Sequence, residues 1–230
     1  MAYTRPLDAV EVRLLGALME KERTTPDLYP LTVAALLQAA NQKTSREPVT
    51  DYSETAVVEA LDRLRADALV FRVHGSRSER YEHCLDRRWH LDTAGAAAVV
   101  ATLLLRGAQT VAELRARTAR LHPFATPEQV EATLARLAAG EDALVRELPR
   151  QPGQRETRWI HLAGNAEVER ELLAGVHFAP AAGERPAPEV RALATSGAET
   201  SRLSERLDRL EAAVAELQSA LAGLRSQLGE

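Results

Sequence analysis

Basic side chains are concentrated in two polar turns and one polar loop of the sequence, where they could bind phosphate groups. An arginine guanidinium donates hydrogen bonds in a planar fork that matches a phosphate, and such contacts position a protein on duplex DNA. The alternative is that these residues are ordinary solvated charges. We expect a DNA-binding surface made of Lys43, Arg46, Arg72, Arg77, Arg80, Arg150, Arg155 and Arg158.

The sequence offers little for catalysis or metal binding. His83 and Cys84 are adjacent on a predicted strand, so their side chains point to opposite faces and cannot easily share one ion with His74 or His90. No phosphate-binding loop, glycine-rich dinucleotide turn, nucleophile elbow or paired-histidine zinc motif occurs. We therefore expect no metal, no cofactor and no enzymatic activity.

The two basic turns occupy the same place in a repeated pattern. In each copy, three apolar residues spaced i, i+4 and i+7 predict one buried helix face. These triplets are Val57, Leu61 and Leu64 in the first copy and Val130, Leu134 and Leu137 in the second. Each predicted helix is followed by a β-prone run, a basic turn and a returning strand. The strand pairs are Ala68–Val73 with Tyr81–Leu85, and Ala143–Leu148 with Arg158–Leu162.

Two further helices precede the hairpin in each copy. Asp8 and Asp92 are candidate N-caps for the first helix of each copy, and Thr110 and Thr126 each begin a sequence typical of a capping box. Pro30 suits the first turn of a helix. The predicted helices are Ala9–Glu20 and Pro30–Ala40 in the first copy, and Thr93–Leu105 and Val111–Leu121 in the second.

Three helices followed by a two-stranded hairpin is the order of a winged helix, a helix-turn-helix with a β wing. The sequence therefore predicts a mainly α protein with small β wings, in the α+β class, with winged-helix domains over 1–91 and 92–163. Two unrelated small α+β units are the alternative.

The third helix of a winged helix usually reads the major groove, but neither copy has a basic one. The residues expected to be exposed there are Glu54, Glu59, Asp62 and Arg63 in the first copy and Glu128, Glu131 and Arg136 in the second. Carboxylates at these positions would meet the negative charge of a duplex. The pattern keeps a second hypothesis open, in which the helices bind a protein partner.

The carboxyl-terminal part has a different organisation. Residues 164–198 predict a flexible Ala/Pro/Gly linker with a short helix over Glu167–Leu173, and 199–230 predict a coiled-coil helix that pairs two chains. A single amphipathic helix folded back on the domains is the alternative, and the heptads leave a parallel or antiparallel pairing open. The dimerisation residues are Leu203, Leu207, Leu210, Val214, Leu217, Leu221, Leu224 and Leu228.

Charge and cysteine content agree with a cytoplasmic protein that has no membrane span. The 230 residues carry a formal net charge of −4, with 29 basic and 33 acidic side chains, and a single cysteine, Cys84, cannot form an internal disulfide. Residues 164–230 hold 7 basic and 11 acidic residues, which accounts for the whole deficit. The two predicted domains are therefore nearly neutral, and the net charge does not exclude a local DNA-binding surface.

Four segments in order resemble the YceH-like bacterial proteins, a family labelled as a domain of unknown function. They are Leu18–Thr32, Asn41–Val49, Leu103–Ala125 and Leu148–Leu162. The resemblance covers about residues 7–163 and implies two tandem winged-helix domains, but it implies no catalytic or binding residues. The heptads lie outside it.

A more distant, purely architectural likeness is to the chromosome segregation and condensation protein B family, and it keeps the protein-docking hypothesis open. From these observations we expect a dimeric, non-enzymatic protein that binds double-stranded DNA, resembling a transcription regulator. The alternative is an interaction scaffold for a protein partner.

Overall fold

The computed structural model describes residues 5–74, 78–150 and 154–178, which belong to one compact unit, Met1–Ala181. Arg77, the linker beyond 178 and the predicted coiled-coil helix lie outside the described residues. The predicted dimerisation residues Leu203, Leu207, Leu210, Val214, Leu217, Leu221, Leu224 and Leu228 are therefore also outside this part of the chain.

The described residues form eight α-helices and two antiparallel sheets of two strands each, which confirms the expected mixture of α and β structure. Three helices precede each sheet, so the same order occurs twice. The first copy contains α1 (Ala9–Thr24), α2 (Val33–Ala40), α3 (Glu54–Ala66), β1 (Val70–His74) and β2 (Glu79–His83). After a short α4 (Leu85–Arg88), the second contains α5 (Ala94–Arg106), α6 (Val111–Thr118), α7 (Pro127–Leu137), β3 (Val145–Leu148) and β4 (Arg158–His161), followed by α8 (Ala166–Phe178).

Helix caps explain several of these boundaries. Asp8 caps α1 as predicted, and Thr110 and Glu113 form the predicted capping box of α6. Two cap predictions were wrong. Thr93, not Asp92, caps α5, because its hydroxyl accepts a hydrogen bond from the Ala96 amide. Thr126 makes no capping bond at α7.

The start of α2 also differs from its prediction, because the chain before it belongs to the first sheet. Leu31 pairs with Tyr81 of β2 through two backbone hydrogen bonds of 3.1 and 2.7 Å. An extended residue cannot also be helical, so α2 begins at Val33 with Thr32 as its cap. Pro30 therefore lies before the helix, and a 3-10 turn occupies Pro26–Leu28.

The second copy repeats this arrangement. Gln109 pairs with Trp159 of β4 through two backbone hydrogen bonds, and the next residue, Thr110, caps α6. In both copies, the residue before the cap of the second helix thus joins the returning strand of the hairpin. The repeat found in the sequence extends to this long-range backbone pairing.

One continuous core unites the two copies, because α1 packs along α5. All residues of α5 from 95 to 105 are buried, as expected for a helix that is apolar on every side. Gly16 of α1 permits the close approach: a Cβ there would lie 2.9 Å from Leu105 Cγ and 3.0 Å from Leu104 Cβ.

The helix α8 is longer than the segment predicted for it. The Asn165 side chain accepts hydrogen bonds from the amides of Glu167 and Val168 at its start. Val168 is buried in the core, and Leu172 packs partly against it. Tertiary contacts therefore hold this helix against the core. Among the described residues, no helix is long and apolar enough to cross a membrane.

Candidate nucleic-acid interface

The predicted basic residues of the second hairpin separate into two groups. Arg150 and Arg155 flank the turn between β3 and β4, and both are exposed. Neither guanidinium forms a hydrogen bond or ion pair with another described residue. Both side chains are therefore available to an external anion.

A groove of about 790 Å³ brings these two arginines near the second helix of this copy. Arg115 of α6 also lines the groove, and its Nη2 and Nε donate to the carbonyl oxygens of Ala125 and Phe124, at 2.7 and 3.3 Å. Glu131 and Glu156 are the acidic residues of the lining. Three guanidiniums thus stand against two carboxylates, which leaves the groove with positive charge.

The connection between α6 and α7 shapes one wall of the groove. Phe124 belongs to this connection, and its side chain is buried and makes an edge-to-face contact with His122, with ring centroids 4.8 Å apart. Gly95 of α5 makes room for this ring, since a Cβ there would lie 3.0 Å from Phe124 Cζ. The wall is therefore anchored to the shared core.

Arg158, at the start of β4, has a structural position. Its guanidinium donates to the Ala108 carbonyl oxygen at 3.0 Å and to Glu113 Oε2 at 2.8 Å, and its side chain is only 11% exposed. Because Glu113 also belongs to the capping box of α6, Arg158 ties the hairpin to that helix. It is not free to bind DNA in this structure.

Arg46 is buried, contrary to the surface position that the sequence suggested. Its Nε donates to the Ala39 carbonyl oxygen at 2.9 Å, and its Nη2 pairs with Glu20 Oε2 at 2.6 Å and contacts Gln42 Oε1 at 2.8 Å. The side chain has no exposed surface. Arg46 therefore joins the loop after α2 to α1, while Lys43 in the same loop is exposed.

The first hairpin is also largely satisfied by the protein itself. Arg72 Nη1 pairs across the sheet with Glu79 Oε1 at 2.7 Å. Arg80 Nη1 donates to the carbonyl oxygens of Pro30 at 2.7 Å and Leu28 at 3.3 Å. The structure does not bring these residues together with Arg150 and Arg155 in one groove.

The third helices present the acidic surfaces that the sequence predicted. Glu54, Glu59, Asp62 and Arg63 of α3 are exposed, as are Glu128, Glu131 and Arg136 of α7. Two apolar side chains of the first copy are exposed as well, Val58 on α3 at 38% and Phe71 on β1 at 49%. The surface of the first copy is thus less suited to a duplex than that of the second.

The histidine and cysteine residues of the first hairpin are held by internal contacts. His83 is buried, its Nδ1 accepts from the Leu85 amide, and its Nε2 lies 3.2 Å from Glu22 Oε2. This hydrogen bond lowers the pKa of Glu22. Cys84 Sγ donates to the Ala68 carbonyl oxygen at 2.9 Å, and burial raises the pKa of its thiol. Within the described ranges, no three histidine, cysteine or acidic residues are placed to hold a metal ion.

Fold and site together define a class of protein in which two copies of a three-helix and hairpin unit share one core and carry a basic groove on the second copy. The family model described as "Protein of unknown function, DUF480" matches residues 7–154. The chain belongs to this family, which confirms the resemblance to an uncharacterised bacterial family.

Individual relatives are similar over nearly the whole chain. A UPF0502 protein of Dechloromonas aromatica is 46% identical over 224 residues, which cover 96% of this chain and 97% of the relative. A UPF0502 protein of Xanthomonas axonopodis pv. citri is 46% identical and covers 99% of this chain and 98% of its own length. One of Solibacter usitatus is 47% identical, covering 88% and 97%.

Proposed function

We propose that this protein is a non-enzymatic tandem winged-helix protein that binds double-stranded DNA, resembling a transcription regulator. The order of three helices and a hairpin in each copy supports the winged-helix assignment. The pairing of the chain before the second helix with the returning strand, present in both copies, supports it further.

The observation that carries the DNA-binding proposal is the groove of the second copy. Arg150 and Arg155 are exposed and have no hydrogen-bond or ion-pair partner in the part of the chain that the structure describes, and they line the groove together with Arg115. Guanidiniums on a wing and on the adjacent helix can hold successive phosphates of one strand. In this proposal, the acidic third helices do not enter the major groove deeply, so binding depends on the backbone more than on base sequence.

Two copies of the chain would bind together in this proposal. The heptad residues between 203 and 228, which lie outside the described residues, have the spacing of a dimerising coiled coil. A dimer would double the number of phosphate contacts and strengthen binding through a higher effective concentration of the second groove.

The test is fluorescence anisotropy of the full-length protein with a generic duplex of about 30 base pairs across a salt series. Each phosphate contact contributes about 0.9 to the slope of log affinity against log salt. The double variant Arg150→Ala/Arg155→Ala should therefore reduce the slope by about 1.8 for each bound copy. The control Arg87→Ala/Arg88→Ala removes the same charge from the exposed face of α4.

Two results would reject the proposal. One is the absence of duplex binding near micromolar concentration at low salt. The other is an equal loss of slope in the α4 control, because that would indicate an effect of total charge alone.

A second candidate function is a scaffold that recruits a protein partner. It is favoured by two exposed apolar side chains of the first copy, Val58 on the acidic surface of α3 and Phe71 on β1. Affinity capture from source cells distinguishes the two functions, with a Val58→Asp variant as the matched control. A partner that survives nuclease treatment and is lost with Val58→Asp supports the scaffold. Loss of all partners on nuclease treatment contradicts it.

A further inference from the structure

A second cavity, of about 640 Å³, lies where the two copies of the repeat meet α8. Its volume is in the range of small-molecule sites. One wall comes from α1 and the loop before α3, and the opposite wall comes from the end of α5, α6 and β4. Apolar residues form much of the lining, among them Val12, Pro48, Leu104, Ala108, Val168 and Leu172.

The charged residues of this cavity are mostly paired with each other or with the backbone. Arg13 donates to the Pro48 carbonyl oxygen at 2.7 Å. Arg158 pairs with Glu113 at 2.8 Å. Arg117 donates to Gln109 Oε1 and lies 3.9 Å from oxygens of Glu47 and Glu113. These three guanidiniums therefore have partners within the protein.

Arg106, at the end of α5, is the exception. It lines the cavity and is half-buried, yet its guanidinium makes no hydrogen bond or ion pair with any described residue. Burial lowers its pKa and the nearby charge of Arg117 lowers it further, and together they outweigh the opposing attraction of the Glu20 and Glu47 carboxylates. An arginine nevertheless remains protonated at neutral pH. A half-buried guanidinium that forms no hydrogen bond or ion pair with the described residues costs free energy, which an anion in the cavity would offset.

His161 supplies an independent sign of an incomplete site. It ends β4 and lines the same cavity, with only 3% of its surface exposed. Its Nδ1 is buried and has no hydrogen-bond partner among the described residues. Burial lowers the pKa of His161 to about 4, so the ring is neutral at pH 7 and offers one nitrogen donor and one acceptor. A polar group of a ligand could satisfy Nδ1 in either tautomer.

We propose that this junction cavity binds a small organic monocarboxylate with an apolar body. The carboxylate would pair with Arg106, a polar group of the ligand would reach His161 Nδ1, and the apolar body would lie against Leu104 and Leu172. The charges favour one negative charge: four arginines and three glutamates line the cavity, which leaves one positive charge to neutralise. The glutamates are Glu47, Glu113 and Glu171.

This site is separate from the proposed DNA-binding groove, because the two linings share no residue. Its walls come from both copies of the repeat, so a bound ligand would contact both. The inference does not depend on DNA binding, and its test uses no DNA.

The test uses isothermal titration calorimetry and ligand-observed NMR on the full-length protein, with hexanoate and phenylacetate as carboxylate probes and hexanamide as the uncharged match. We expect saturable binding of at least one carboxylate with a Kd of about 1 mM or tighter. Hexanamide should bind about tenfold more weakly or worse, because it cannot form the ion pair.

The variant Arg106→Met keeps an unbranched apolar stem and removes the charged guanidinium, and it should weaken carboxylate binding at least about tenfold. Circular dichroism checks that it folds, and Arg106→Lys, which keeps the charge, should retain measurable binding. The matched control is Arg87→Met, an exposed arginine outside the cavity. It should bind as the unmodified protein does.

Three outcomes would overturn the proposal. The first is that neither carboxylate shows saturable binding with a Kd of about 1 mM or tighter. The second is that hexanamide binds as well as hexanoate. The third is that a folded Arg106→Met protein retains full carboxylate affinity.

Discussion

Lowering the pH should destabilise this protein through His161, whose pKa in the folded state is about 4 instead of the ordinary 6.5. The physical cause is burial, because the buried ring has no access to the water that would stabilise its charged form. Because the folded-state pKa is lowered, the unfolded chain binds more protons between these two values. The contribution of His161 to stability is therefore fully present above pH 6.5 and is lost as the pH falls towards 4.

The size of the effect follows from the two pKa values. At about pH 5 the unfolded imidazole is almost fully protonated, whereas the folded one is almost fully neutral. The linkage relation then predicts a loss of about 2 kcal/mol of unfolding free energy relative to about pH 8. Glu11 does not contribute within this interval. Burial raises its pKa, but hydrogen bonds from Arg5, the Asp8 amide and Arg63 outweigh burial and bring the pKa below 4.5. Its stabilising contribution is therefore lost only at lower pH.

The contribution of His161 to the pH dependence of the unfolding free energy can be measured by urea unfolding of the unmodified protein and of His161→Gln. Circular dichroism follows the unfolding at about pH 8, 7, 6 and 5. The amide cannot be protonated in this range, so the variant should lose about 2 kcal/mol less stability between about pH 8 and pH 5 than the unmodified protein. Comparing the two pH slopes removes the cost of the substitution itself. If both proteins lose stability equally, His161 is not the group that titrates, and the reasoning from its burial is refuted.

Two further substitutions test the packing of the core and the position of Arg46. Gly16→Ala should destabilise the protein by about 1–3 kcal/mol in urea unfolding, because the added Cβ would lie 2.9 Å from Leu105 Cγ; a more stable variant, as an exposed helix would give, would contradict the close approach of α1 and α5. Arg46→Met should cost about 2–4 kcal/mol, because it leaves the Glu20 carboxylate and the Ala39 carbonyl without their partner. The salt dependence of duplex binding should not change in this second variant, and a reduced slope would place Arg46 in the interface.

The sequence predicted the helices and strands well where the signal was local. The apolar triplets that contain Val57 and Val130 are buried on one face of α3 and α7. Residue types at helix starts identified the caps at Asp8 and Thr110, because capping depends on residues within one turn. The start of α2 was missed because it depends on Leu31 pairing with Tyr81, fifty residues away in the chain.

The candidate site was predicted less completely than the fold. Of the basic residues in the second hairpin, Arg150 and Arg155 are exposed, whereas Arg158 is paired with Glu113. Their residue types are identical, so composition alone could not separate them. Arg115 was not among the residues predicted for this surface, because its proximity to the hairpin depends on the tertiary structure.

The sequence by itself determined that the chain contains two copies of one helix and hairpin pattern and that arginines gather in its turns. Local periodicity and capping are sufficient for this, since they act over a few residues. Only the tertiary structure decided which charges remain available. Arg46 and Arg158 find partners in distant segments, and His161 is enclosed where the two copies meet. The Arg106 guanidinium forms no hydrogen bond or ion pair with the residues that the structure describes. The reason is physical: the free energy of a charged or polar group depends on its neighbours in space and on its access to water.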